Sequence, residues 1–169
     1  VSSVAKVTPA VLAALAAFRG LPHRMERIAD ERGVLFVNDS KATTVAATEA
    51  ALAGIGRPVI LIAGGDGKGQ SFVPLKPAVD RACRAVLLIG RDAALVERGL
   101  AGSSAAVEHV GTLDRAVARA FAIARPGDAV LLSPACASLD QFASFGERGE
   151  RYRALVRERL TERSPCASA

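Results

Sequence analysis

Two apolar periods alternate along this chain, and the switches between them predict its elements. Residues 7–18 place Val7, Val11, Leu12, Leu15 and Phe18 at helical spacing behind Thr8-Pro9, a cap followed by a first-turn proline. A helix is expected there, ending at Arg19-Gly20. Gly20-Leu21-Pro22 then breaks the pattern, so the main domain is expected to start near residue 20. Residues 25–29 and 34–37 flank Glu31-Arg32-Gly33 and predict two antiparallel strands joined by a turn.

From there strand and helix patterns alternate. Residues 59–63 (V-I-L-I-A) form a continuous apolar run closed by Gly64-Gly65, the form of a strand buried on both faces of a parallel sheet. Residues 85–89, closed by Gly90, repeat it; 106–110 and 129–132 predict shorter strands. Helices are expected over 43–55, 75–83, 92–100, 113–124 and 138–160. The implied fold class is α/β: a doubly wound, mainly parallel sheet of about six strands, one of them antiparallel, with helices on both faces, Rossmann-like. In such sheets ligands bind beyond the carboxyl ends of the strands. The expected organisation is 1–19 as a linker helix or the end of a preceding domain, 20–162 as the main domain, and 163–169 as a flexible tail.

Composition narrows the function classes. Half of the 169 residues are hydrophobic, 34 of them Ala, with seven aromatics, so the core must rest on Leu, Val and Ile; this excludes a disordered chain. The net charge of +5 is spread along the chain without a basic block, which gives no indication of a nucleic-acid partner. The densest charge run, 147–163, holds six Arg and four Glu and reads as a solvated helix face. The longest uncharged segment, 7–18, has twelve residues. That is too short for a membrane span, which needs ~20 apolar residues. Three cysteines (Cys83, Cys136, Cys166) form no C-x-x-C pair, which argues against a disulfide framework or a zinc site and for a cytoplasmic location. The chain begins at Val1 and has its only methionine at Met25, so a longer protein is expected.

Three strand-end segments carry the candidate chemistry: N-D-S-K-A-T at 38–43, G-G-D-G-K-G at 64–69 and S-P-A-C-A-S-L-D-Q-F at 133–142. Each joins small residues, which admit close backbone approach, to hydroxyls or a lysine that can meet an anion. The chain has 18 Arg but four Lys, and two of those, Lys41 and Lys68, stand in these loops. A compact ammonium suits a carboxylate or phosphate, although solvated lysine is the common state. The 64–69 segment is neither a P-loop nor a dinucleotide fingerprint, because glycines and hydroxyl fall at the wrong positions. His23 is expected to cap the connection, His109 to be structural and Cys136 to be a packed free thiol. No acid, base or metal ligand is assigned.

Together with G-L-P-H-R at 20–24, these segments occur in order and well spaced, and the chain over 7–160 resembles the C-terminal domain of a Mur ligase, of the D-glutamate-adding branch. The resemblance implies a three-domain cytoplasmic enzyme of peptidoglycan synthesis that uses ATP and Mg2+. One domain would take UDP-N-acetylmuramoyl-L-alanine, a central one would carry the true P-loop and metal ligands, and the last would bring in D-glutamate. By resemblance Arg24 and Asp39 contact the nucleotide, Asp39 through ribose hydroxyls, and Lys41 lies between nucleotide and amino acid. Thr43, Lys68, Ser138, Leu139 and Phe145 would complete the D-glutamate site, the last two through backbone groups and shape. No catalytic residue and no metal site falls in this part, which is expected to be inactive alone. Two other readings fit the same residues: a sister Mur or folylpolyglutamate ligase, and a stand-alone α/β module whose lysines hold an anionic effector. The Asp-Asn-Pro-Arg string expected of the diaminopimelate-adding branch does not occur.

Overall fold

The computed structural model describes residues 20–162 and, ahead of them, Thr8, Pro9, Val11 and Leu12. Those four form one capped turn, with Val11 N–H on Thr8 Oγ1 at 3.3 Å; the rest of the helix expected over 7–18, and the segment 163–169, lie outside the described residues. Six strands build one sheet: β1 (Glu26–Glu31), β2 (Val34–Asn38), β3 (Val59–Gly64), β4 (Cys83–Ile89), β5 (Ala106–Gly111) and β6 (Ala129–Leu132). Their order is β1-β2-β6-β3-β4-β5, with β1 antiparallel to β2 and every other neighbouring pair parallel. The α/β, mainly parallel architecture is the one expected.

Helices α1 (Val45–Ile55), α2 (Lys76–Ala82) and α3 (Ala93–Gly99) cover one face, and α4 (Leu113–Ile123) and α5 (Phe145–Glu162) the other. Strand alternation sorts the core accordingly. Leu61, Ala63, Val86, Leu88 and Leu131 meet Leu52, Leu75, Val79 and Val96, while Ile60, Ile62, Leu87, Val130 and Leu132 meet Leu113, Val117, Tyr152 and Val156. Strand β3 is buried at all six positions, as its unbroken apolar run requires.

Several boundaries differ from expectation; α1, for one, starts at Val45 rather than 43, behind its cap Thr44. Cys83, placed in a helix by its spacing, opens β4 because it pairs with Val59 of β3, and its backbone is extended. Met25 turns rather than extends, at φ 45°, with its N–H on Asp39 Oδ1 at 3.2 Å, so β1 starts at Glu26. The last helix begins at Phe145, not Ser138. Ser144 sets the start: its Oγ accepts the Glu147 N–H at 3.1 Å, and Glu147 Oε2 reaches back to the Ala143 N–H at 2.7 Å, a variant of the capping box.

Candidate functional site

The strand order decides where the motifs meet. Because β6 lies between β2 and β3, the segments that follow these strands, 38–43, 133–142 and 64–69, stand side by side at the carboxyl end of the sheet. Backbone bonds lock them together: Asp39 N–H to Leu132 O at 2.8 Å, Ala135 N–H to Ala42 O at 3.0 Å, Gly64 N–H to Pro134 O at 2.8 Å, and a two-bond bridge between Asp66 and Ala137. A side chain at Gly65 would put its Cβ 2.2 Å from Ala137 O, so only glycine allows this approach. Four non-glycine residues at this end hold left-handed backbone, His23, Met25, Lys68 and Ala135, at a cost of about 1–2 kcal/mol each. Strain of this kind gathers at ligand sites.

Arg24, Asp39 and Lys41, expected on a nucleotide, line one hollow of about 330 Å³. Its floor is Ala47, Ala50 and Ala51, whose short side chains on α1 leave the room. Asp39 is nearly buried; its Oδ1 accepts the Met25 N–H and its Oδ2 the Ser133 hydroxyl at 2.9 Å. Each oxygen keeps a further lone pair for a hydroxyl donor. Burial raises the Asp39 carboxyl above its ordinary range, against the pull of those two bonds and the Arg24 charge. Three larger hollows, of about 460, 630 and 430 Å³, sit at the amino ends of the strands, where none of the three motif segments reaches.

A carboxyl raised by folding binds its proton more tightly in the folded chain than in the unfolded one. Its contribution to stability is therefore full below the unfolded value, near pH 4, and is lost as the pH rises through the folded value. Asp39→Asn keeps an acceptor for Met25 and can donate to Ser133. It is expected to be more stable than the wild type at pH 7, with the gain shrinking towards pH 4, in paired urea denaturation curves. A less stable variant at pH 7 would show that the charged hydrogen bonds outweigh burial.

The residues expected on the amino acid border the same edge. Lys41 is exposed, its N–H bonded to His23 O at 3.0 Å and its Nζ 5.5 Å from the Phe145 ring centroid. Thr43 is half-buried directly before Thr44, the residue that caps α1. Lys68 is exposed on its loop, with its N–H on Asp66 Oδ1 at 3.0 Å. Ser138 is buried at the start of the turn that precedes α5, and Leu139 next to it is exposed. Cys136 is buried, and burial pushes its thiol up to about 12, consistent with a packed thiol. His109 pairs with Glu97 at 3.0 Å on the edge strand β5.

Sequence reasoning missed two residues behind this rim. His23 does more than cap: it is buried, with Asn38 Nδ2 3.0 Å from its Nδ1 and an edge-on contact to the Phe145 ring, while Asn38 Nδ2 also reaches Glu26 and Gly149 O. Arg148, assigned to a solvated face, is fully buried and corrects that reading. Its Nε donates to Ser40 Oγ at 3.0 Å and its Nη2 to Ser40 O at 2.9 Å and Cys136 O at 3.1 Å, joining two of the three motif segments. The signal was present, since Arg148 stands at i, i+4, i+7 and i+8 with Tyr152, Leu155 and Val156, on the apolar stripe of α5. No group of three His, Cys, Asp or Glu suited to a metal occurs among the described residues.

Known proteins share this chain's sequence and fold. Residues 23–136 match the family model for the Mur ligase, glutamate ligase domain. The UDP-N-acetylmuramoylalanine--D-glutamate ligases of Aromatoleum aromaticum and Chromobacterium violaceum are 59% and 58% identical over 150 and 142 residues, 88% and 84% of this chain. The chain spans about a third of their length, 32% and 31%. Solved structures share the fold at low identity. UDP-N-acetylmuramate-alanine ligase MurC from Thermotoga maritima superposes with a TM-score of 0.64 at 14% identity, over 92% of this chain and 34% of its own. E. coli FolC in complex with ADP gives 0.63 at 15%, over 92% and 36%. A matched family model over most of the chain, and relatives more than half identical to it over more than four fifths of its length, lead to one assignment: this chain belongs to the Mur ligase family and carries its glutamate ligase domain.

Proposed function

We propose that this chain is the C-terminal part, near residues 20–162, of a cytoplasmic ATP-dependent ligase that joins D-glutamate to UDP-N-acetylmuramoyl-L-alanine in peptidoglycan synthesis. The observation that carries the reading is the meeting of the 38–43, 133–142 and 64–69 segments along one edge of the sheet. It sets a hollow lined by Arg24, Asp39 and Lys41 beside a rim bearing Lys68, Thr43 and Ser138. The fit to ATP rests on that hollow: Arg24 and Lys41 offer cations, Asp39 an acceptor for ribose hydroxyls, and the alanine floor a flat apolar wall. The fit to D-glutamate rests on separated donor sets for two carboxylates, lysine on one side, hydroxyl and backbone N–H before a helix start on the other. Mg2+, the phosphate loop and the other substrate would be held by the rest of the enzyme. In that enzyme the substrate carboxylate is phosphorylated by ATP. The glutamate amine then attacks the acyl phosphate, the amide bond forms, and phosphate leaves with the acyl C–O bond broken. This part contributes placement, and its closure over the remainder completes the site.

The chain alone is expected to bind D-glutamate weakly, with a Kd of about 1 mM or higher: ~1 mM corresponds to about 4 kcal/mol, which two charge-assisted contacts supply only before the cost of immobilising the ligand is subtracted. Amide NMR titration with D- and L-glutamate tests this. Shifts centred on Thr43, Lys68 and 138–145, larger for the D isomer, are the expected result. Equal response to both isomers would overturn the reading.

A further inference from the structure

Besides the Asp66–Ala137 bridge and the Gln70 side-chain bond to Ala135 O at 2.6 Å, the Lys68 loop is supported by Gly90-Arg91-Asp92, which closes β4 and holds none of the residues expected on ligand. Asp92 Oδ2 accepts the Gly67 N–H at 2.7 Å, and the Asp92 N–H donates to Gly65 O at 3.0 Å. Arg91 Nη2 pairs with Asp66 Oδ1 at 2.8 Å, the oxygen that also accepts the Lys68 N–H. From the opposite side, Asp140 of the 133–142 segment accepts the Arg91 N–H through Oδ2 at 2.9 Å. Gly90 makes room for this last contact, since a Cβ there would stand 2.4 Å from Asp140 Oδ2. A chain of ties thus runs from the Ser138-Leu139 turn, through the end of β4, to Lys68.

Lys68 needs such support. Its φ of 49° is a left-handed conformation that a residue with a side chain holds only under constraint. Arg91 also offsets the negative charge of Asp66, the carboxylate that accepts the Lys68 N–H.

We propose that Arg91 and Asp92 are positioning residues that set the separation between Lys68 and the Ser138-Leu139 turn, and so select the chain length of the dicarboxylic amino acid held between them. The inference rests on the reading that these two segments hold opposite ends of D-glutamate. A fixed spacing lets a five-carbon dicarboxylate reach both donor sets and leaves a four-carbon one short at one end. A loosened Lys68 loop would follow the shorter ligand, so discrimination falls before turnover does.

The test is steady-state kinetics of the complete ligase with D-glutamate and D-aspartate, for the wild type, Asp92→Ala, Asp92→Asn and Arg91→Ala, with melting temperatures alongside. Asp92→Ala is expected to raise the KM for D-glutamate about tenfold and to narrow the D-glutamate/D-aspartate ratio of kcat/KM about tenfold, with the KM for ATP within about twofold. Asp92→Asn, which keeps an acceptor for the Gly67 N–H, is expected to restore most of both. A fall in kcat at an unchanged ratio, or an Asn variant no better than Ala, overturns the proposal. If Asp92→Ala does not fold, Arg91→Ala decides: it keeps the backbone bond to Asp140, and an unchanged ratio again overturns the proposal. A wild-type enzyme that prefers another amino acid overturns the functional reading separately. The clamp is then judged by the same ratio for that amino acid against its homologue one methylene shorter.

Discussion

Lys68→Ala in the complete ligase is expected to raise the KM for D-glutamate about a hundredfold, the equivalent of losing one charge-assisted contact of about 2–3 kcal/mol. The described lysines differ in what they do. Lys76 is committed to Asp80 at 2.6 Å, within a network that also ties Ser103 and Ser104. Lys68, in contrast, anchors its backbone to Asp66 and is exposed, with its ammonium in no ion pair with a carboxylate among the described residues. An ammonium held out on a strained, pinned loop would meet a ligand at a low ordering cost, because its backbone order is already established before binding. Lys68→Arg is also expected to perform poorly, since a planar fork does not replace a compact point donor. Initial rates at varied D-glutamate measure both variants. A KM unchanged in either would make Lys68 an ordinary solvated loop residue.

Arg148→Ala is expected to cost about 3 kcal/mol or more of folding stability, and to abolish ligation in the complete enzyme. Burial pushes the guanidinium down to about 10, so it remains charged at neutral pH, with no carboxylate in contact among the described residues. That desolvation is unfavourable, and it is offset by hydrogen bonds to Ser40 and Cys136. Truncation strands the two carbonyls in the interior and leaves a cavity under the site. Arg148→Met refills the volume and removes the buried charge while still stranding the carbonyls, so its loss is expected to be roughly half that of Ala. Urea denaturation of this chain measures both. An Ala variant within about 1 kcal/mol of the wild type would remove Arg148 from the role of joining the motif segments.

How much of this could be read beforehand depended on the range of the interactions. The β3 run V-I-L-I-A announced a doubly buried strand because burial on both faces demands apolar residues without alternation. Thr112 capping α4, and Gly56 in the left-handed position after α1, belong to the same local kind. Boundaries failed where a partner far along the chain decided. Cys83 left its helix for Val59, and Met25 left its strand for Asp39. Ser144-Phe145-Gly146-Glu147 was a missed local signal, since its capping pattern marked the start of α5.

Residue type and spacing alone determined the fold class and marked three strand-end segments as candidates for a ligand, because backbone geometry and close approach restrict which residues can stand at a strand end. The strand order was decided only by tertiary structure. Nothing local in A-V-L-L of β6 says that it inserts between β2 and β3, yet that insertion makes three distant motifs neighbours. Tertiary packing also decided the burial of Arg148 and His23. A charged or titratable side chain is read as solvated until the hydrogen-bond partners that make its burial tolerable are brought to it, and here they come from segments 108 and 15 residues away in the chain.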